Sequence, residues 1–195
     1  MEAMSSLPRR DFALGVPATL AAAEPALAAS REPRAELLKD TGEFPNSQYP
    51  ALIYKSVLPP GPDLASGFEA LFERNGWPGA WRNGLYRTHH YHSTAHEALG
   101  IYRGHVKVRL GGPTGPVIAR EAGDVAILPA GVAHKNEGQS DDFAVVGAYP
   151  AGTSPDMNYG KPSERPETDR KIARLARPSH DPVTGASGAL PRLWR

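Results

Sequence analysis

Three histidines and one glutamate within residues 84–134 have the types and spacing of a metal site. One residue separates His90 from His92, Glu97 follows after a short turn, and His134 comes later in the chain. Because the side chains of a strand alternate between its two faces, the first two imidazoles are predicted to point the same way. Two imidazoles on one face, a nearby carboxylate and a later histidine can converge on one cation. Imidazole and carboxylate together suit iron, manganese, nickel, copper or zinc.

Glycine and proline recur at set places around these donors, which makes the pattern more specific than four isolated polar residues. The positions are Gly84, Gly104, Gly123, Pro129 and Gly131. From average residue frequencies, the first block alone would arise by chance in a chain of this length with a probability of about 10⁻⁵. The alternative is that the histidines are surface polar residues of an ordinary strand. The low chance frequency favours the metal site.

The segments that must position these donors have the pattern of an all-β domain. Strands are predicted at residues 51–58, 85–92, 97–102, 105–110, 116–120, 124–128 and 143–149. The alternation at 105–110 is the clearest, because Val106, Val108 and Leu110 share one face and basic residues occupy the other.

An amphipathic helix is predicted before the barrel, over residues 64–74. Asp63 stands at its N-cap position, and the Asn75-Gly76 pair is a typical C-terminal stop. Its apolar face is expected to pack against the barrel rather than to bind a partner. A second, short helix is predicted over residues 167–176, on the outside of the barrel.

The two blocks resemble the paired motifs of the cupin superfamily. The resemblance implies a double-stranded β-helix, or jelly-roll barrel. It also implies that His90, His92, Glu97 and His134 are the metal ligands, and that the protein forms a homodimer, as cupins frequently do. One position departs from the pattern, because the second cupin motif usually has an asparagine where this chain has Gly138.

A narrower resemblance covers most of the chain after residue 45. The run WPGAWRNGLYRTHHYHSTAHEALG, followed by LPAGVAHK and VVGAYP, is similar to YjlB-like bacterial cupins. Those proteins are known by their fold more than by a reaction. The similarity continues weakly into the tail sequence DPVTGASGALPRLW.

The predicted donor set points to catalysis rather than to a structural metal. Three imidazoles and one carboxylate leave about two positions open on a six-coordinate ion, as catalytic metal sites do. We expect one divalent transition metal per chain, with iron or manganese preferred and zinc, nickel or copper as alternatives. The predicted function is a mononuclear metal-dependent oxygenase acting on a small organic substrate. The alternatives are a non-redox isomerase or lyase, and a non-catalytic module that binds metal and ligand.

Inward-facing strand positions predict a mainly apolar substrate pocket beside the metal. The candidate contacts are Tyr86, Thr88, Ile101 and Phe143. By the same alternation, His96 is predicted to point away from the metal although its neighbour in the chain is a ligand. A packed or solvated histidine is expected there, with a hydrogen-bonding role behind the ligands as the alternative.

Composition excludes some partners, and the N-terminus predicts the compartment. A net charge of +1 gives no electrostatic reason to bind nucleic acid or an anionic membrane, and the lack of cysteine excludes thiolate ligands.

Arg9-Arg10 before the Ala-rich run 13–23 predicts a twin-arginine signal and an exported, periplasmic or secreted protein. The alternative is a cytoplasmic protein with an Ala-rich tail. The run is too short for a permanent membrane anchor.

The predicted domain organisation is one domain with extensions. Residues 1–29 are the signal peptide, 30–48 a mobile linker, 49–150 the cupin barrel with its preceding helix, and 151–195 a helical and irregular C-terminal extension.

Overall fold

The computed structural model describes residues 32–195. The signal peptide predicted for residues 1–29, with its cleavage position, lies outside this described part. The strands are β1 (Arg34–Glu36), β2 (Ala51–Tyr54), β3 (Trp81–Asn83), β4 (Glu97–Arg103), β5 (His105–Leu110), β6 (Val117–Glu121), β7 (Val125–Leu128), β8 (His134–Gln139) and β9 (Ala144–Ala148). The helices are α1 (Leu64–Arg74), α2 (Glu167–Arg174) and α3 (Ala189–Leu193), with a 3₁₀ turn at Pro162–Glu164. Among the residues described, no helix has the length and apolar character needed to cross a bilayer.

The strands form two antiparallel sheets. The larger sheet has the order β1-β2-β7-β4-β9-β3, and the smaller has the order β6-β5-β8. Between them lies an apolar core to which both contribute, with Leu99 and Ile101 from β4 and Val106, Val108 and Leu110 from β5. The fold class predicted from the sequence, an all-β jelly roll, is confirmed.

The larger sheet is also covered on its outer face. Helix α1 packs there through Phe68 and Phe72, and the C-terminal tail adds Leu190 and Trp194, all of them buried. Strand β2 is consequently buried at each of its positions, as expected for a strand that lies between two packed layers.

Helix α1 begins and ends at the predicted residues. Its buried face contains Leu64, Phe68, Leu71 and Phe72, together with Ala65. The helix stops at Asn75 and Gly76, and Gly76 adopts a left-handed φ of 82°, which a residue without Cβ accommodates readily. Asp63 occupies the N-cap position but makes no side-chain capping hydrogen bond.

The prediction of a strand over residues 85–92 was wrong. Instead of a ladder, the chain makes two isolated bridges, one from His90 to His134 and one from Tyr91 to Asn158. Each residue pairs with a different segment, so the backbone bends between them and no continuous strand forms. The sequence also did not predict β8, because HKNEGQ contains no apolar residue that would mark a buried face.

The mobile connection predicted for residues 30–48 differs from what the described part of that segment, from residue 32 onward, shows. Strand β1 pairs with β2, and the aromatic ring of Phe44 is buried. The Asn46 side chain donates to the Gly111 carbonyl and accepts from the Ala133 amide. A charged, turn-rich composition gave the wrong prediction because one aromatic ring and one amide are enough to fasten the segment.

Candidate metal centre

The structure brings the four predicted donors into one buried cluster. One ring nitrogen from each of His90, His92 and His134 lies within 4.8 Å of the others. The Glu97 Oε2 atom is 3.3 Å from His134 Nε2 and 3.6 Å from His92 Nε2. All four side chains are buried.

Strand starts and one bridge bring these residues together. Glu97 is the first residue of β4 in the larger sheet, and His134 is the first residue of β8 in the smaller sheet. His90 and His134 exchange backbone hydrogen bonds of 3.2 and 2.9 Å, which holds the histidine segment against β8. The site therefore lies at one end of the sandwich, where the two sheets meet.

In each of the three donor histidines, the Nδ1 atom is hydrogen-bonded to a backbone carbonyl. The partners are the Thr88 carbonyl for His90 at 3.1 Å, the Val132 carbonyl for His134 at 3.1 Å, and the Asp156 carbonyl for His92. Because a carbonyl only accepts, Nδ1 must carry the proton, and the lone pair is left on Nε2. All three Nε2 atoms are thus in the state that ligates a metal.

Two atoms at the centre of the cluster are buried and lack hydrogen-bond partners within the described residues. They are His134 Nε2 and Glu97 Oε2. A buried acceptor without a hydrogen-bond partner costs free energy, and a cation between these atoms would remove that cost. The donor types, their burial and their tautomers all fit a divalent transition metal.

The charge state of the cluster also suits a cation. Burial opposes ionisation of Glu97, but the facing imidazoles of His134 and His92 outweigh it and hold the pKa of this carboxyl far below its usual range. Burial, helped by the nearby His134, lowers the pKa of His90 to about 3, so this imidazole is neutral. For His92 the negative charge of the facing Glu97 carboxylate outweighs burial and raises the pKa of the imidazole. A carboxylate among imidazoles draws positive charge to this point.

Tyr149 holds the other oxygen of the carboxylate. Its phenol donates to Glu97 Oε1 at 3.0 Å, while Oε2 faces the histidines. Burial and the negative charge of Glu97 raise the pKa of the phenol, which therefore stays protonated and keeps donating. With Oε1 occupied in this way, Glu97 offers a single oxygen to a metal.

A cavity of about 340 Å³ opens over the donors. Besides the four donors, its walls are Trp81, Asn83, Gly84, Leu85, Tyr86, Tyr149, Pro155 and Met157. Most of these side chains are apolar or aromatic, and no lysine or arginine is among them. Tyr86 and Met157 stand at the mouth, where they are 63% and 38% exposed.

The predicted substrate contacts fall in three different places. Tyr86 lines the cavity, and its ring meets the His90 ring edge-on at 5.2 Å. Thr88 is exposed and faces the site only through its carbonyl, because the strand on which its inward direction depended does not form. Ile101 and Phe143 are buried in the core between the sheets.

Ile101 and Phe143 face inward, as alternation predicts, but too deep to meet a substrate. Ile101 lies four residues beyond Glu97 along β4, about 13 Å at the usual rise of a strand. There it lines a second, mainly apolar cavity of about 20 Å³. Alternation predicts which face a residue occupies, but not its distance from the metal along the strand.

His96 points away from the donor cluster, as predicted. Its Nδ1 accepts the Ala130 amide at 3.0 Å, and its ring lies 4.9 Å from that of Trp194. Burial lowers its pKa to about 4, so the imidazole is neutral. His96 therefore helps to pack the tail against the barrel.

Several residues that build the site have no local signal in the sequence. Tyr149 follows β9, where the sequence predicts only the end of a strand, while Pro155, Asp156 and Met157 belong to the predicted extension. Asp156 approaches His92 from a distant part of the chain. No local pattern could have indicated that contact, because it depends on the path of the chain after β9.

Comparison with known proteins assigns the family. No protein-family model matches the chain. The uncharacterised protein YjlB of Bacillus subtilis (strain 168) is 38% identical to it over 165 residues, which are 84% of this chain and 98% of that protein. The chain belongs to the YjlB family. The predicted resemblance to YjlB-like cupins is confirmed.

Two solved structures align with part of this chain. A DUF861 family protein from Thermotoga maritima is 22% identical, with a TM-score of 0.33, over 50% of this chain and 96% of that one. Acireductone dioxygenase from Bacillus anthracis, solved with a cadmium ion in its active centre, is 19% identical, with a TM-score of 0.36, over 54% of this chain and 82% of that one. The buried histidine triad of this YjlB-family chain supports a metal-binding cupin.

Proposed function

We propose that this YjlB-family cupin is a metal-dependent oxygenase acting on a small organic substrate. One divalent transition metal, with iron or manganese preferred, would be held by His90, His92, Glu97 and His134. The observation that carries the proposal is the cluster of three Nε2 lone pairs around one carboxylate oxygen, at the floor of a cavity. A structural zinc site would be closed on all sides, whereas this one opens to a chamber that can admit substrate.

The residues of this chain bind and orient the reactants. When bound, the metal would polarise an oxygen of the substrate or exchange electrons with dioxygen. Tyr149 holds Oε1 of Glu97, so this carboxylate would offer a bound metal a single oxygen. Trp81, Leu85 and Met157 line the chamber and offer apolar contact.

The cavity walls favour a neutral or singly charged organic molecule. No lysine or arginine lines the chamber, so a phosphate group would find no cationic partner there other than the metal. The aromatic walls suit a planar substrate, such as an enol or a phenol that approaches the metal through oxygen. A non-redox isomerase or lyase could use the same donors, and a binding module would hold metal and ligand without turnover.

One experiment tests the metal and the reaction together. The protein is isolated from its own host compartment, its metal is measured by elemental analysis, and oxygen uptake is followed with enol and phenol substrates. We expect about one metal ion per chain and oxygen uptake that depends on substrate. His92→Ala, which lacks one donor, serves as the matched control and should lose both.

The three candidate functions give different results in the same assay. Turnover that is indifferent to air would replace the oxygenase with an isomerase or lyase. Ligand-induced thermal stabilisation without any product would support a binding module. A wild-type protein that takes up no transition metal would reject all three.

We also propose that the protein is exported by the twin-arginine route. The support is the Arg9-Arg10 pair, the uncharged run 13–23 and the small-residue pattern Ala26-Leu27-Ala28. That route carries folded proteins, so the metal could be acquired in the cytoplasm rather than by affinity order outside it. Replacing both arginines by lysine should hold the precursor in the cytoplasm, and unchanged fractionation would contradict export.

A further inference from the structure

The chain returns to the metal site after its last strand. Residues 153–158, here called the return segment, run beside Tyr91, Ser93 and Thr94. The Thr94 hydroxyl donates to the Ser154 carbonyl at 2.7 Å and accepts from the Asp156 amide at 3.0 Å. Farther along, Tyr91 and Asn158 exchange two backbone hydrogen bonds of 2.9 and 3.0 Å. The return segment is thus fastened on both sides of Asp156.

Asp156 makes the contacts closest to the metal site. Its Oδ1 atom accepts the Ser93 amide at 2.6 Å, and its Oδ2 atom accepts the Ser93 hydroxyl at 2.5 Å. Ser93 is fully buried and directly follows His92. The carbonyl of Asp156 accepts from His92 Nδ1. One residue therefore holds the His92 ring through its backbone and the next residue through its side chain.

We infer that Asp156 is the positioning residue for His92, selecting the tautomer and ring orientation in which Nε2 faces the metal. This inference rests on the proposed metal site. The carboxylate clamp on Ser93 fixes where the Asp156 carbonyl lies, and that carbonyl keeps the proton on Nδ1. The carbonyls that orient His90 and His134 belong to residues two positions earlier in the chain, so His92 alone depends on a distant segment.

The return segment also forms part of the cavity wall. Pro155 and Met157, on either side of Asp156, line the chamber above the donors. A substrate that presses on these two residues therefore acts on the segment that orients His92. Substrate contact and metal geometry are linked through Asp156.

Four variants separate positioning from general stability. Asp156→Ala removes both contacts to Ser93, and Ser93→Ala removes one of them without adding volume. Asp156→Asn keeps an acceptor for the Ser93 amide and can still pair with the hydroxyl, so it should restore the geometry. Ser154→Ala is the matched control, because Ser154 is exposed and uses only its carbonyl here.

The first readout is the His92 tautomer in metal-free protein, measured by long-range ¹H–¹⁵N NMR of the imidazole. We expect protonated Nδ1 in wild type, Asp156→Asn and Ser154→Ala, and a tautomer mixture in Asp156→Ala and Ser93→Ala. The second readout is affinity for Mn²⁺ or Co²⁺. It should fall about 10- to 100-fold in Asp156→Ala, as loss of a partner behind a metal ligand typically causes.

The inference is overturned if Asp156→Ala and Ser93→Ala both match Ser154→Ala in tautomer and affinity. If Asp156→Ala does not fold, Ser93→Ala decides the question, because serine to alanine leaves the buried volume almost unchanged. If wild type binds no metal while the tautomer still shifts in the variants, the proposed function fails and the role of Asp156 stands.

Discussion

The proposed metal chemistry of this site depends on which atom of each donor residue carries a proton. His90, His92 and His134 each place Nδ1 on a carbonyl, so each ring offers its Nε2 lone pair without having to choose between tautomers. Tyr149 orients Glu97 in a similar way, because its hydroxyl donates a hydrogen bond to one of the two carboxylate oxygens. Such partners behind the ligands determine how well a metal site is organised before the metal arrives.

Substitution of His96 tests whether its side chain points away from the donor cluster. We expect His96→Ala to keep near-normal metal content, because its imidazole contacts Ala130 and Trp194 rather than the donor cluster. The variant should lose about 1–3 kcal/mol of unfolding free energy, since the Ala130 amide is left buried without a partner. Metal analysis and denaturant unfolding measure the two effects. A metal-free His96→Ala protein that remains folded would contradict the assignment of faces.

At the scale of the elements, strand β4 contributes to the donor cluster and also packs against helix α1. Its first residue, Glu97, faces the donor cluster, while Gly100 on the same strand lies against helix α1. A Cβ atom added at Gly100 would stand 2.8–3.0 Å from ring atoms of the buried Phe68. Glycine at this position therefore allows α1 to pack closely on the sheet that carries Glu97.

Gly100→Ala should destabilise the protein through this contact. Overpacking a filled core costs about 1–3 kcal/mol, because the Phe68 ring and the helix must shift. Gly138→Ala is the control, since a Cβ at Gly138 meets no atom within 4 Å. Denaturant unfolding of the two variants gives the comparison. Equal stability of both would show that α1 does not pack as described.

At the scale of the whole molecule, the C-terminal tail fastens to the barrel at Asp181. This fully buried carboxylate accepts the Tyr54 hydroxyl at 2.6 Å and the amides of Val183, Thr184 and Leu190 at 2.8, 3.2 and 3.1 Å. Burial and the charge of Asp181 raise the pKa of the Tyr54 phenol, which therefore remains a donor. The tail thereby places Leu190 and Trp194 over the larger sheet.

Removing this carboxylate should loosen the tail and weaken the whole fold. Asp181→Ala leaves several buried donors without an acceptor, so we expect a loss of about 3 kcal/mol or more in unfolding free energy. Asp141→Ala, at an exposed aspartate in the turn before β9, should change stability little. Hydrogen exchange of the Leu190 amide would report loosening of the tail directly. Unchanged protection there would contradict the role given to Asp181.

Much of the fold could be predicted because local backbone geometry repeats, whereas the donor set was indicated by the residue types and spacing of the cupin motifs, since no strand forms over residues 85–92. Alternation of apolar and polar residues along β5 indicated its buried face, and the apolar stripe and the Asn75-Gly76 stop gave both ends of α1. These signals depend on periods that a strand or helix has in any protein. These signals can therefore be found in the order of residues along the chain.

The cavity and the orientation of His92 could not be predicted in this way. The chamber wall at Pro155 and Met157 comes from a segment whose direction is set by the turn after β9, and Ile101 faces the right way at the wrong depth. Asp156 meets His92 across a long stretch of intervening chain. Contacts of that kind have no period, because they arise only when separate segments pack together and each restricts where the other can go.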